Sequence, residues 1–528
     1  MDEFDVIVIG GGSAGSAVSG RLAEAGKRVC LLEAGPRNDT MLVKTPGFMP
    51  FLRDASNYRF ETVPQKGLNG RIGYQPRGRG LGGSSAINAM VYIRGNSFDY
   101  DQWAELGCTG WSYEDVLPYF KRAEHNVRGG DAFHGASGPL WVSDQKWPNP
   151  GSLAFVEAAA QLQLPRNADF NGARQEGFGL YQVTQRNGER WSAARAYVEP
   201  RRGDKNLDVR IGVSVQRLEI SDGRVTGVTY SVGKKERTIT ARGAVVLSAG
   251  AFNSPQLLML SGIGPAAHLK EHGIDVVLDK PAVGADLQDH IDYVSSWETQ
   301  SKDFIGDSLA GTVRMAKAII EHRRKRTGAM TTPYAEAGGF WTVMPDAPAP
   351  DIQWHFVPAM LEDHGRTRVK GHGFSLHACV LRPESRGTVR LNGGDARMAP
   401  RIDPNFLDDE RDIATLREGV RLSHRIASSP SLAKYEPRDR YPIDLADDGQ
   451  LDELIRNRAD TVYHPVGTCR MGSDEEAVVD PTLKARGIEG LYVADASVMP
   501  RLVSGNTNAP SIMIGERCAD FVRAALAA

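Results

Sequence analysis

The sequence predicts an α/β fold in which a Rossmann-like parallel sheet is assembled from distant segments and carries an inserted domain of mainly antiparallel strands and helices. Three observations predict it. Wholly apolar runs at 6–9, 244–247 and 491–494 have the composition of strands buried on both faces, and each leads into a glycine or an acid. The first run passes at once into Gly10-Gly-Gly-Ser-Ala-Gly15. The stretch from about 295 to 455 differs, with alternating runs at 352–357 and 374–381, proline turns and a helical pattern over 412–428.

Taken in order, the strand at 6–9 is followed by glycines at Gly10, Gly12 and Gly15, which fit G-x-G-x-x-G. The first permits a tight turn, the second lets a pyrophosphate approach the backbone, and the third lets helix and strand pack closely. A helix from Ser13 and Ala14 to about Ala25 would turn its free N–H groups and positive dipole end toward phosphates. A second strand at 27–32 ends at Glu33 and Ala34. A carboxylate there accepts hydrogen bonds from ribose hydroxyls and repels a 2′-phosphate, which disfavours NADP. The fingerprint by itself does not separate FAD from NAD.

Residues 76–88 form a glycine-dense loop that reads as another backbone cradle, with hydroxyl donors at Ser84 and Ser85. Strands are expected at 209–220 and 225–230, joined by a Ser221-Asp-Gly-Arg224 turn, then at 244–250, with a helix from Pro255. A chain of 528 residues exceeds one usual core. The expected division is 1–150, 195–290 and 460–528 for the dinucleotide domain, and 151–194 and 291–459 for the substrate domain.

A net charge of −2 gives no electrostatic case for nucleic acid. The five cysteines are scattered without C-x-x-C pairing, which favours reduced thiols in a cytoplasmic compartment over a disulfide frame or zinc site. The histidines lack ligand spacing, so no metal is expected. No apolar run is long enough to cross a bilayer. Met315–Ile320 leads into a basic run, His322 to Arg326, read first as a solvated helix end and second as a peripheral contact with anionic lipid at the inner membrane.

These pieces closely resemble the glucose–methanol–choline (GMC) oxidoreductase family along essentially the whole chain. Residues 76–95 are similar to its first signature, residues 250–264 to its second, and Val283-Gly-Ala-Asp-Leu-Gln-Asp-His290 to another recurrent segment. The closing block, His464, Asp495-Ala496 and Asn506-Thr507-Asn508, also matches. The resemblance is strongest toward bacterial choline dehydrogenases and aliphatic or polyethylene-glycol alcohol dehydrogenases. It implies FAD and oxidation of a primary alcohol to an aldehyde by hydride transfer to flavin N5. It implies His464 and Asn508 as the catalytic pair. Leu81, Gly82, Gly83, Asn88, Ala89, Met90 and Val91 would line the flavin and pyrophosphate. Val215 would contact adenine, and Asp495, Ala496, Asn506 and Thr507 the rest of the cofactor. Some members attach FAD through a histidine where this chain has Ile87, so non-covalent FAD is implied.

An imidazole suits proton abstraction from a hydroxyl because its ordinary pKa lies near neutrality. His464 would accept the hydroxyl proton while Asn508 sets the direction of the substrate oxygen. Glu336 stands where choline-oxidising members carry an acid thought to face the ammonium, or else is a charge at a pocket rim or strand end. Tyr463, Trp341 and Trp354 are the aromatic candidates for a cation box. Cys469 reads as packing. The expected acceptor is a quinone-type molecule. An oxidase returning electrons to oxygen and a flavin-bearing lyase are the alternatives, and the residues leave the oligomeric state open.

Overall fold

The computed structural model describes residues 3–52 and 54–527. Strands β1 (Glu3–Ile9) and β2 (Val29–Glu33) flank helix α1 (Ser13–Glu24). They belong to a seven-stranded sheet that also takes β3 (Leu207–Ile211), β4 (Ser214–Ser221), β5 (Arg224–Val232) and β6 (Lys235–Leu247). The order is β3-β2-β1-β6-β5-β4. The pairs β3–β2, β2–β1 and β1–β6 are parallel, while β6–β5 and β5–β4 are antiparallel. Val6, Ile7, Val8 and Ile9 are buried, as are Val245, Val246 and Leu247 beside them. Each such side chain taken from water contributes about 1.5–3 kcal/mol.

The run expected as one strand over 209–220 is two strands. Gly212 takes φ +67 between them, so β3 stays parallel to β2 and β4 turns away into a hairpin with β5. Asp222 (φ +50) and Gly223 (φ +73) make the two-residue turn. Left-handed central residues match the twist of an antiparallel pair, and Asp-Gly supplies them at low cost. The helix expected from Pro255 begins earlier, as α2 (Gly250–Leu260). Pro255 lies inside it and cannot donate to the Ala251 carbonyl, which accepts instead from Thr468 Oγ1 at 2.6 Å.

A second sheet, of eight strands, contains β7 (Ile291–Thr299), β8 (Ala337–Trp341), β9 (Ile352–Val357) and β10 (Gly371–Val380) in the order β7-β10-β9-β8, extended at one edge by Gly177–Leu180. All these pairings are antiparallel. Helix α3 (Leu309–Lys325) lies outside it, and α4 (Glu410–Ala427) covers it with Ile413, Leu416, Val420 and Ile426 buried. A second hydrophobic core, with Phe155, Trp297, Phe356 and Phe374, fills this half, separate from the core round β1 and β6.

The chain then returns to the first sheet as β11 (Leu491–Val493), parallel to β6, and ends in α5 (Asn508–Ala525) packed against α1. Ile9 pairs with both Leu32 and Leu247, and Leu247 with Val493. The carboxyl ends of four strands therefore sit side by side, where ligands of such sheets bind. A Cβ on Gly15 would stand 1.9 Å from the Gly10 oxygen, so Gly15→Val should lower stability by more than about 2 kcal/mol in urea unfolding. An unchanged midpoint would contradict that packing.

Candidate active site

A continuous cavity of about 1180 Å³ runs from the carboxyl ends of β1 and β2 to the face of the second sheet. It exceeds the roughly 300–1,000 Å³ usual for a small ligand and suits an extended one. Gly10, Gly12, Ser13, Ala14, Glu33, Ala34, Gly83, Asn88, Ala89, Met90, Val91, Val215, Asp495, Ala496, Asn506, Thr507 and Asn508 all line it. Gly15, Leu81 and Gly82 do not line it.

The glycine turn has the shape of a phosphate cradle. Gly10 adopts φ +98, and a Cβ there would stand 2.4 Å from the Ser248 oxygen. A Cβ on Gly12 would meet nothing within 4 Å, so the backbone N–H groups opening α1 are accessible from the cavity. Gly82 donates its N–H to the Gly11 oxygen at 2.7 Å, and Leu81 is buried in the core beneath that turn. Both support the cradle from behind, which corrects the expectation that they line it. The Glu33 carboxylate accepts from the N–H groups of Gly11 (2.8 Å), Gly35 (2.8 Å) and Gly80 (2.9 Å). These bonds lock its position on the cavity wall, and Oε2, with only one of them, keeps capacity for a hydroxyl donor. Asp495 caps from the other side, accepting from Gly250 N and Ser497 N at 2.8 Å. Arg190, buried and without an ion-pair partner among the described residues, donates to the Asn88 carbonyl at 2.6 Å and to its Oδ1 at 2.8 Å. It pins the loop that presents residues 88–91.

His464 stands at the far end, in a turn anchored on both sides. Its N–H donates to Asp289 Oδ1 at 2.8 Å, and Arg77 donates to the Tyr463 carbonyl at 2.7 Å. Gly467 (φ +91) lies so close to the chain at Asp286 that a Cβ would stand 2.3 Å from that carbonyl oxygen. Nδ1 of His464 lies 2.9 Å from Nδ1 of His290, whose Nε2 lies 3.2 Å from the Leu381 carbonyl. On the cavity side, Asn506 Nδ2 lies 3.1 Å from His464 Nε2, and Gln353 donates to Asn506 Oδ1 at 3.3 Å. Asn508 opens α5, and its Oδ1 accepts from Ser13 Oγ at 2.7 Å. The amide beside the imidazole is therefore Asn506, and Asn508 joins the two helices. The two asparagines are separated by Thr507 alone, and the turn into α5 sends their side chains to different partners.

Burial holds His464 well below the usual histidine range, with His290 and His355 adding to the effect, so the imidazole is neutral at physiological pH. Burial pushes His290 and His355 down to about 3. Burial also raises Asp289, to about 6. Met90 (φ +61), Tyr334 (φ +66) and Tyr463 (φ +77) line the cavity in the left-handed region, costly for bulky residues and characteristic of functional sites.

Tyr463 lines the cavity, but its hydroxyl is bonded to His364 Nδ1 at 2.6 Å. Glu336 is fully buried and lies off the cavity. It accepts from Asn149 N (2.6 Å), Ser152 Oγ (2.8 Å) and Thr332 Oγ1 (2.6 Å), tying the helix Pro150–Gln161 to the strand end. The reading of Glu336 as a cation-facing acid is thus replaced by a structural one. Trp354 packs in the second core and Trp341 against it, so neither builds an aromatic box. Cys469 is buried in the first core.

Asp289 and His290 were missed as site residues, although they end the recurrent segment 283–290. The Asp-His pair that closes this segment was the available signal.

Two models of GMC oxidoreductases match the chain, over residues 4–292 and 383–515. It is 44% identical to an "Alcohol dehydrogenase [acceptor]" of Pseudomonas putida and 40% identical to an "Oxygen-dependent choline dehydrogenase" of Brucella ovis, covering in each case 98% of this chain and 95% of the relative. Among solved structures, pyridoxine 4-oxidase from Mesorbium loti superposes with a TM-score of 0.88 at 31% identity, over 98% of both chains. If Glu336 is structural, Glu336→Gln should cost about 1–3 kcal/mol of stability. It should alter the kcat/KM ratio for choline over its uncharged carbon isostere by less than about threefold. Selective loss of choline turnover would restore the cation-facing reading.

Proposed function

The chain belongs to the GMC oxidoreductase family, and from that premise we propose that it oxidises primary, aliphatic or polyol-like alcohols to aldehydes with non-covalently held FAD, passing the electrons to a quinone-type acceptor. The observation that carries this reading is the neutral His464 imidazole, with Nε2 beside the Asn506 amide at the end of a cavity that begins in a dinucleotide cradle.

The residues fit the cofactor. The N–H groups at the start of α1 would hold the pyrophosphate, Glu33 the ribose, and the wall at Val215 the adenine. Ile87 lines the cavity and has no nucleophilic atom, which supports non-covalent attachment. Bound FAD would supply the two-electron acceptor for the hydrogen on the carbinol carbon. Everything else falls to the chain. Asn506 Nδ2 donates to the substrate oxygen and fixes its direction, and Gln353 holds Asn506 in that orientation. His464 Nε2 accepts the hydroxyl proton as negative charge develops on the oxygen. Val294, Val357 and Leu361 give this end of the cavity apolar contacts for an aliphatic chain.

The acceptor connects with a second surface. Leu309 is 85% exposed, and Val313 and Ile320 continue an apolar stripe along α3, with Arg314, Lys317, Arg323, Arg324 and Lys325 on the same helix. No helix among the described residues is long and apolar enough to cross a membrane. An exposed apolar stripe flanked by cations suits shallow contact with an anionic bilayer, where quinones reside.

His464→Ala should keep its FAD yet lose roughly 10²-fold in anaerobic flavin reduction. Reduction at the wild-type rate would remove His464 from the mechanism. Because the folded imidazole stays neutral far below its ordinary pKa, the reduction rate should be flat from pH about 8 to about 7, and any loss below that should follow Asp289, raised to about 6, and vanish in Asp289→Asn; a loss with an apparent pKa near 6.5 that persists in Asp289→Asn would contradict this. Vesicles containing phosphatidylglycerol should sediment the protein where phosphatidylcholine vesicles do not, and Leu309→Glu with Ile320→Glu should abolish it. Stoichiometric peroxide release with no transfer to an added quinone would favour the oxidase reading.

A further inference from the structure

The direction in which His464 presents its lone pair is decided by the second imidazole behind it. His290 is fully buried; its Nε2 lies 3.2 Å from the Leu381 carbonyl, its Nδ1 lies 2.9 Å from His464 Nδ1, and the Val503 carbonyl also reaches the ring as an acceptor. A carbonyl can only accept, so Nε2 of His290 carries the proton. A neutral imidazole carries one proton, which leaves Nδ1 of His290 as a lone pair. Two lone pairs cannot face each other at 2.9 Å, so His464 must carry its proton on Nδ1. Its Nε2 is then unprotonated and faces the cavity beside the Asn506 amide. The two rings meet edge to face, with centroids 5.1 Å apart and planes at 89°, which lets the Nδ1–H of one point along the lone pair of the other.

We propose that His290 is a positioning residue that locks His464 in the Nδ1–H tautomer and so keeps Nε2 available to take the substrate's hydroxyl proton. This rests on the role given to His464 above and extends it. The chain of donors runs one way, from His464 through His290 to the Leu381 carbonyl, and no exposed group interrupts it. The device replaces the carboxylate that commonly orients a catalytic imidazole. A carboxylate would favour the imidazolium and raise the pKa, whereas a neutral acceptor fixes the tautomer and leaves the base uncharged.

The test compares three variants of the FAD-loaded enzyme. His290→Asn can place Oδ1 where Nδ1 was and keep the acceptor. His290→Gln can reach the Leu381 carbonyl but offers no acceptor at the δ position, and His290→Phe keeps the ring alone. Anaerobic flavin reduction should stay within about tenfold of wild type for His290→Asn and fall roughly 10- to 100-fold for the other two, with FAD content unchanged. Equal losses in Asn and Gln variants, or a wild-type rate in His290→Phe, would overturn the proposal. Nitrogen-15 spectra of histidine-labelled wild-type holoenzyme give an answer independent of any variant's folding. The His464 signals, assigned by their absence in His464→Ala, should show a protonated Nδ1 and a pyridine-type Nε2. The reverse assignment would refute the lock. If His464→Ala itself reduces flavin normally, the reading of His464 fails. If it is inactive while His290→Phe is not, only the role of His290 fails.

Discussion

The site depends on one close approach, that of the first long helix to the last. A Cβ on Gly515 of α5 would stand 2.5 Å from the Ala14 oxygen of α1, so the two backbones touch. Ser13 and Asn508 hydrogen-bond across the junction, and Arg21 forms an ion pair with the buried Glu516. Glu516 also accepts from Arg122 Nε at 2.7 Å and from the Tyr197 hydroxyl at 2.6 Å, so one buried carboxylate gathers groups from three segments onto α5. The parallel pairing of β6 with both β1 and β11 imposes the same constraint within the sheet. Together they bring a turn from the chain's end against a glycine cradle from its beginning.

Within that frame, burial sets the electrostatics. His464, His290 and His355 share a region from which water is largely excluded, and each is held neutral. Asp289 supplies order without supplying a counter-charge to the ring, because it accepts from the backbone N–H of His464 and leaves the imidazole to His290. An uncharged base in a pre-set tautomer needs little reorganisation when a proton arrives. The left-handed conformations at Met90 and Tyr463 show the backbone bent to present these groups, a cost of order 1–3 kcal/mol each that the surrounding packing offsets.

The parts legible in the sequence were those governed by local rules. The apolar strands, the glycine fingerprint, the Asp-Gly hairpin turn and the helix over 410–427 each follow from composition and short-range geometry. The break at Gly212 was hidden because one glycine inside a strand-like run of mixed apolar and polar residues does not announce a change of sheet neighbour. The choice between Asn506 and Asn508 turned on the rotation at the start of α5, which no spacing reveals. Glu336 stayed open between a cation-facing and a strand-end role for a related reason: a lone acid in a strand-like run gives no sign of the three donors that fold in from Asn149, Ser152 and Thr332. His290 is visible as a residue but not as a partner, since its meaning arises only from the ring 2.9 Å away.

The most direct test is a crystal structure of the FAD-loaded protein. The account predicts the pyrophosphate at the start of α1 and the reactive face of the isoalloxazine ring at the far end of the cavity. His464 Nε2 and Asn506 Nδ2 should converge on a space from which an alcohol carbon can reach flavin N5 at about 3–3.5 Å. Electron density placing the ring elsewhere in the cavity, or His464 turned away from it, would contradict the account at its centre.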